Sequence, residues 1–87
     1  MKRWTIDIDI DEHAEVRRTC ADARLHTGDP TNMRGIGTYW RHPRDFEVAE
    51  VGDELAVLRA LTDLAEKLRA AAAGDIEGVS PEASPRW

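Results

Sequence analysis

The sequence has a single cysteine, Cys20, and aromatic residues make up only 6% of its 87 residues. A lone cysteine forms no internal disulfide and cannot supply the thiolate cluster of a structural zinc site. It is typical of a reducing compartment, so we expect a cytoplasmic protein. A domain this short buries only roughly 60 to 65% of the surface that its unfolded chain exposes. Without disulfides or a metal, it would gain stability by association with another chain.

Long apolar runs are also missing. No stretch approaches the roughly 20 apolar residues that a membrane-spanning helix needs. The opening segment Met1–Asp7 reaches an acid before any apolar stretch forms, so we expect no signal peptide. The sequence therefore predicts no membrane partner.

The charge is unevenly distributed over the chain, whose net charge is −5. Residues 13–44 contain six arginines and only three acids, whereas residues 45–87 contain ten acids and four bases. The mildly basic middle permits an anionic partner, but it falls short of the basic surface that nucleic-acid-binding domains present.

Three segments have the pattern of β-strands. Trp4–Asp11 alternates apolar and acidic residues, which is typical of a half-buried strand. Val16–Thr27 alternates more weakly and has small residues on its inner face. Met33–Trp40 carries Gly35 and Gly37 on one face, which would let another backbone or a large side chain come close. Short polar segments between the strands predict turns.

A long helix is predicted after an extended crossover over residues 41–52. Asp53 is a good N-cap for this helix, and Gly74 is well placed as its C-terminal stop, after which residues 75–77 could form one more turn. Leucines recur at spacings of three and four and predict one core-facing stripe. The stripe consists of Leu55, Leu58, Leu61, Leu64 and Leu68. The expected fold is α+β, a three-stranded antiparallel sheet (β-β-β-α) packed by one long C-terminal helix. We expect one domain over residues 1–79 and a flexible tail over residues 80–87.

Several segments resemble a family of short actinobacterial proteins classed only as a domain of unknown function. The segments are Ile6–His13, Ala21–Leu25, Gly35–Gly37, Val51–Ala56 and Arg59–Ala65. The resemblance runs from about Trp4 to Val79. It implies a β-β-β-α core likened to the double-stranded-RNA-binding domain, and it implies no activity.

The likeness to an RNA-binding fold raises nucleic-acid binding as an alternative function. Domains of that class use a helix before the sheet and a basic cluster at the start of the last helix. Here no leading helix is predicted, and Asp53 and Glu54 at the predicted helix start would repel phosphate. The alternative is therefore a weak anion-binding or nucleic-acid-binding module on the second and third strands. Its candidate residues are Arg17, Arg18, Arg24, Arg34 and Trp40.

Metal and catalytic motifs are weak throughout the sequence. The three histidines, His13, His26 and His42, are thirteen and sixteen residues apart, unlike the close pairs of zinc sites. The pattern of the strand places Arg18 and His26 on the same face as Cys20, which leaves a nucleophilic role open, but a buried and inert thiol is the favoured interpretation. Gly35-Ile36-Gly37 lacks the third glycine of a dinucleotide-binding loop. We therefore predict no catalytic residue, no metal, no cofactor and no enzymatic activity.

Self-association is the leading hypothesis for function. One helix can cover only part of a three-stranded sheet, which leaves a face or an edge available to a partner. We predict a binding or interaction protein that forms a homodimer or a higher homo-oligomer through its sheet.

Overall fold

The computed structural model describes residues 1–28, 33–41 and 49–79, with the side chains of 50–74 in the last range. Its elements are β1 (Thr5–His13), a single 3-10 turn (Ala14–Val16), β2 (Arg18–His26), β3 (Met33–Trp40) and α1 (Ala49–Val79). The predicted α+β fold of three strands followed by one long helix is confirmed. The predicted tail over residues 80–87 lies outside the described residues.

The three strands form an antiparallel meander in the order β1-β2-β3. Ile8 pairs with Ala23 in β2, which in turn pairs with Gly35 in β3. Because side chains alternate along a strand, these three residues share the face that α1 packs on. β1 and β3 are the two edge strands.

The helix lies over β2 and β3 and hardly touches β1. The helix residues that contact the sheet are mostly small, and so are the strand residues that they contact. The buried apolar residues are Ala21, Ala23, Leu25, Ala56, Ala60 and Leu64. Gly35 and Gly37 lie against the helix backbone itself, as their shared face predicted. Glycine and alanine thus allow the helix and the sheet to approach more closely than large side chains would.

Only some leucines of the predicted stripe belong to the core. Leu64 is buried and Leu55 and Leu68 are half-buried, but Leu58 is 59% exposed and Leu61 is 37% exposed. The residues that face the sheet are instead spaced four apart, as Gly52, Ala56, Ala60, Leu64 and Leu68. Only small helix residues can pack closely against Gly35 and Gly37, so this row faces the sheet. Leu58 and Leu61 consequently lie on the side of the helix, away from the contact with the sheet.

The predicted start of the helix was wrong, and Gly74 is not its C-terminal stop. The helix begins at Ala49, so Asp53 lies in its second turn and is not the N-cap. The segment 49–52, predicted as part of an extended crossover, is helical, and residues 42–48 lie outside the described residues. Gly52 is buried beside Thr19 and Tyr39, at distances that an added Cβ atom would meet in ordinary van der Waals contact. The helix also continues through Gly74 to Val79, after four alanines that strongly favour helix.

Candidate interaction surface

The apolar residues of β1 lie on the helix-side face of the sheet, but the helix does not cover them. Trp4 is 57% exposed, and Ile6, Ile8 and Ile10 are also exposed. Their alternation with aspartates predicted a buried apolar face, and the face is correctly assigned. It remains open because α1 lies over β2 and β3 instead.

The flank of α1 forms a wall beside this open strand. A groove at the Ile10 end is lined by Val57, Leu58 and Leu61, with Asp53 and Glu54 at its rim. We use the name β1 groove for the helix-side apolar residues of β1, the preceding Trp4 and this wall. Its members are Trp4, Ile6, Ile8, Ile10, Val57, Leu58 and Leu61. Contiguous exposed apolar surface of this kind marks interaction sites in proteins.

The two ends of the β1 groove carry opposite charge. Lys2 and Arg3 directly precede Trp4, at the end where β1 begins. Glu12 follows Ile10 at the other end, where Asp53 and Glu54 form the rim. The groove is therefore basic at one end and acidic at the other.

The opposite face of the sheet is polar and largely paired within the chain. Arg24 forms an ion pair with Asp9 at 2.5 Å, and His26 Nε2 lies 2.8 Å from an oxygen of Asp7. Arg34 forms an ion pair and a bidentate hydrogen-bonded contact with Asp22. These carboxylates offset much of the basic character that the sequence assigned to this face.

The structure separates the residues of the predicted anion-binding face into two groups. Arg24 and Arg34 are held by aspartates near the middle of the sheet. Arg17 and Arg18 lie at the β1–β2 hairpin, and the Arg18 guanidinium lies 5.3 Å from the centre of the Trp40 ring. The five residues therefore do not form one continuous binding surface.

Side chains of α1 cover the outer edge of β3. The Ile36 N–H donates a hydrogen bond to Asp63 at 2.9 Å, and Lys67 donates to the Arg34 carbonyl at 2.7 Å. Arg59 donates to the Thr38 carbonyl at 2.6 Å. The hydrogen bond from Ile36 and the one from Lys67 lower the pKa of Asp63 below its ordinary value. One edge of the sheet is thus protected, and the β1 side is the open one.

The described residues contain neither a metal-binding cluster nor a membrane-spanning helix. Within residues 1–28, 33–41 and 49–74, no group of three or more His, Cys, Asp or Glu side chains is placed to hold a metal ion. Cys20 Sγ lies 3.8 Å from Thr38 Oγ1, and His42 lies outside the described residues. In the part of the chain that the structure covers, no helix has the length and apolar character needed to cross a membrane.

Residues 2–84 match the sequence profile of the Rv2632c-like family. The chain belongs to the Rv2632c-like family. It is 47% identical over 76 residues to the uncharacterized protein Rv2632c of Mycobacterium tuberculosis (strain ATCC 25618 / H37Rv), covering 87% of this chain and 78% of the relative. It is 41% identical over 80 residues to the uncharacterized protein MT1780 of Mycobacterium tuberculosis (strain CDC 1551 / Oshkosh), covering 92% of this chain and 82% of the relative.

The crystal structure of Rv2632c has the same fold as this chain. The two superpose with a TM-score of 0.82 at 43% sequence identity, over 95% of each chain. The resemblance to an actinobacterial family of unknown function is thereby confirmed. Since these Rv2632c-like relatives are uncharacterized, the comparison supports the fold of this chain and indicates no activity.

Sequence reasoning missed part of the site in this Rv2632c-like protein. Leu58 and Leu61 were assigned to the core, although they form the wall of the β1 groove. The signal that could have revealed this is the second apolar row of the helix, Gly52, Ala56 and Ala60, which matches the small residues of the strands. Two rows on one helix imply that one of them faces something other than the sheet.

Proposed function

We propose that this protein is a non-enzymatic, cytoplasmic interaction protein that forms a homodimer through the β1 groove. The exposed apolar row of β1 beside Leu58 and Leu61 carries the proposal. A short domain without disulfides gains stability when a partner covers such a surface. A second copy of the chain supplies an apolar surface of the same shape and size.

The charges at the ends of the groove favour a second copy as the occupant. In a two-fold arrangement with the two β1 strands antiparallel, each basic end meets the acidic end of the other copy. Lys2 and Arg3 of one chain would then lie near Glu12 and Glu54 of its partner. This complementarity sets the direction of the pairing and disfavours the parallel one.

Packing of the two faces explains the sequence better than pairing of the two edges. Antiparallel pairing of β1 with its copy would extend the sheet, but it would bring the aspartates of both strands side by side on the polar face. The aspartates are Asp7, Asp9 and Asp11. Like charges on opposite strands are destabilising, and charged edges discourage this kind of pairing. The isoleucines, by contrast, are buried when the two faces meet.

Sedimentation velocity between about 5 and 500 µM tests the proposal with two matched variants. Leu58→Lys places a charge in the groove, and Glu54 four residues earlier supports the new lysine on the helix. Ile36→Lys makes the same change on the opposite face, where Ile36 is 45% exposed. We expect the parent chain and Ile36→Lys to dimerise and Leu58→Lys to stay monomeric.

Two results contradict the proposal. One is a parent chain that remains monomeric over the whole concentration range. The other is a dimer that Ile36→Lys disrupts and Leu58→Lys leaves intact, because that result would place the interface on the polar face. Circular dichroism of each variant shows whether it is folded before its mass is interpreted.

A further inference from the structure

The β1 groove contains a pocket at its Ile10 end. The pocket has a volume of about 450 Å³, which is within the range of sites that hold small-molecule ligands. Its walls are apolar and its rim is acidic. The walls are Ile10, Val57, Leu58 and Leu61, and the rim is Asp53 and Glu54. Such a pocket suits an apolar group that has positive charge beside it.

Trp4 has the complementary properties. Its side chain is 57% exposed, although an aromatic side chain buries roughly 150 to 250 Å² when a partner covers it. Two positively charged residues, Lys2 and Arg3, directly precede it. The chain therefore carries an exposed indole with adjacent positive charge, which matches the apolar walls and the acidic rim of the pocket.

Trp4 does not reach the pocket of its own chain. It directly precedes β1, and Ile10 follows it by six residues in the same extended segment. At about 3.3 Å per residue, the two positions are separated by roughly 20 Å. An indole side chain does not span that distance. A Trp4 side chain in the pocket must therefore come from another molecule.

An antiparallel two-fold dimer brings the indole and the pocket together. The apolar row from Trp4 to Ile10 has its midpoint between Ile6 and Ile8. A two-fold axis at this midpoint places Trp4 of each copy beside Ile10 of the other. The positively charged residues before Trp4 then lie at the acidic rim of the other copy. The apolar fit and the charges thus agree on the same direction of pairing.

We infer that Trp4 of each copy fills the pocket at the Ile10 end of the other copy, and that this contact is the main anchor of the dimer. The inference rests on the proposed homodimer and adds the residue that determines its affinity and register. Tryptophan is enriched among the few interface residues that carry most of the binding energy. Each dimer contains the contact twice, because the two-fold axis repeats it.

Sedimentation equilibrium of two tryptophan variants tests the anchor. Trp4→Ala removes it from both contacts, and a loss of at least about tenfold per contact predicts a dimer at least about a hundredfold weaker. Trp40→Ala is the matched control, because Trp40 is 60% exposed but lies on the polar face of the sheet. This control should leave the dimer unchanged. Circular dichroism shows that each variant is folded before its mass is interpreted.

A mixture of two defective variants tests whether Trp4 and Leu58 belong to one contact. Trp4→Ala lacks the anchor and keeps the pocket, whereas Leu58→Lys keeps the anchor and blocks the pocket. A mixed dimer retains one complete contact, which neither variant forms with itself. We therefore expect the mixed dimer to bind at least about tenfold more tightly than either variant binds its own copy.

The outcomes separate this inference from the proposed function. A parent chain that dimerises while Trp4→Ala dimerises equally tightly overturns the anchor and leaves the homodimer standing. A mixture no tighter than the tighter of its two components does the same, because Trp4 and Leu58 would then belong to separate contacts. Equal weakening by Trp4→Ala and Trp40→Ala also overturns the anchor. A parent chain that stays monomeric overturns the proposed function together with the inference.

Discussion

Gly37 in β3 lies against the carbonyl oxygen of Ala56 in α1, with no room for a side chain between them. A Cβ atom on Gly37 would come closer than 3.0 Å to backbone atoms of the helix, a separation that real Cβ atoms essentially never show. Gly35 has the same relationship with Ala60. The distance between helix and sheet is therefore set by backbone contacts at two successive turns of the helix.

Gly37→Ala should destabilise the fold severely. The added methyl group meets backbone, which cannot rotate away, so we expect a loss of at least about 3 kcal/mol, the upper part of the range for overpacked cores. Gly52→Ala is the matched control, because its nearest neighbour is Thr19 Oγ1 at 3.4 Å. Alanine is also favoured over glycine inside a helix by about 1 kcal/mol, so this control should be neutral or stabilising. Urea unfolding measures both, and equal losses would contradict the close backbone packing.

Leu64 and Leu58 should respond very differently to truncation. Leu64→Ala empties a fully buried position and should cost about 2 to 5 kcal/mol. Leu58→Ala changes an exposed side chain and should stay within about 1 kcal/mol of the parent at concentrations where the chain is monomeric. Thermal unfolding of dilute samples makes the comparison. If the two losses were similar, the whole leucine stripe would be core, as the sequence pattern predicted.

Much of the fold was visible in the sequence, because local patterns decide it. The alternation in Trp4–Asp11 identified β1 and its apolar face, and the predicted limits of β3 agree with the observed Met33–Trp40. The predicted β2 extended slightly too far at both ends, since Val16 belongs to the 3-10 turn. These features are determined by residues close together in the sequence and by the alternation of apolar and polar side chains along a strand.

The position of the helix over the sheet could not be predicted in the same way. Leucine spacing indicates an apolar stripe, but it does not show whether a sheet or another molecule covers that stripe. The choice depends on Gly35 and Gly37, more than fifteen residues earlier, which admit only Ala56 and Ala60 at close range.

Asp63 should make stability depend on acid pH. Its pKa is lowered in the folded protein, first by the hydrogen bond from the Ile36 N–H and next by Lys67. Its contribution is thus present above the unfolded pKa of about 3.9 and is lost as the pH falls through the lower folded value. Asp63→Asn should be less stable than the parent at pH 7, and this difference should shrink below about pH 4.

Glu66→Gln is the control for the pH experiment. Glu66 is exposed and pairs only with Arg69 three residues later among the contacts described for it. Exposed pairs of this kind contribute little to stability, so Glu66→Gln should have almost no effect at any pH. A difference between Asp63→Asn and the parent that stays constant from pH 7 to pH 2.5 would exclude the proposed role of the Asp63 charge.

Charge reversal tests the direction of the proposed dimer. The double variant Lys2→Glu with Arg3→Glu, and the double variant Glu12→Lys with Glu54→Lys, should each dimerise about tenfold more weakly, since each exposed pair contributes about 0.2 to 1 kcal/mol. Mixing the two variants should restore affinity, because reversed ends then meet each other. Sedimentation of the mixture checks this, and a mixture no tighter than its parts would argue against the antiparallel arrangement.

Contact between copies across the β1 groove is the central claim, and isotope-filtered NOE spectroscopy measures it directly. A sample is mixed from one batch with ¹³C-labelled isoleucine methyl groups and one unlabelled batch. Antiparallel dimerisation through the groove predicts NOEs from Ile6 and Ile8 of one copy to leucine methyl protons of the other, and their loss in Leu58→Lys. A dimer whose intermolecular NOEs come only from Ile36, on the polar face, would contradict it.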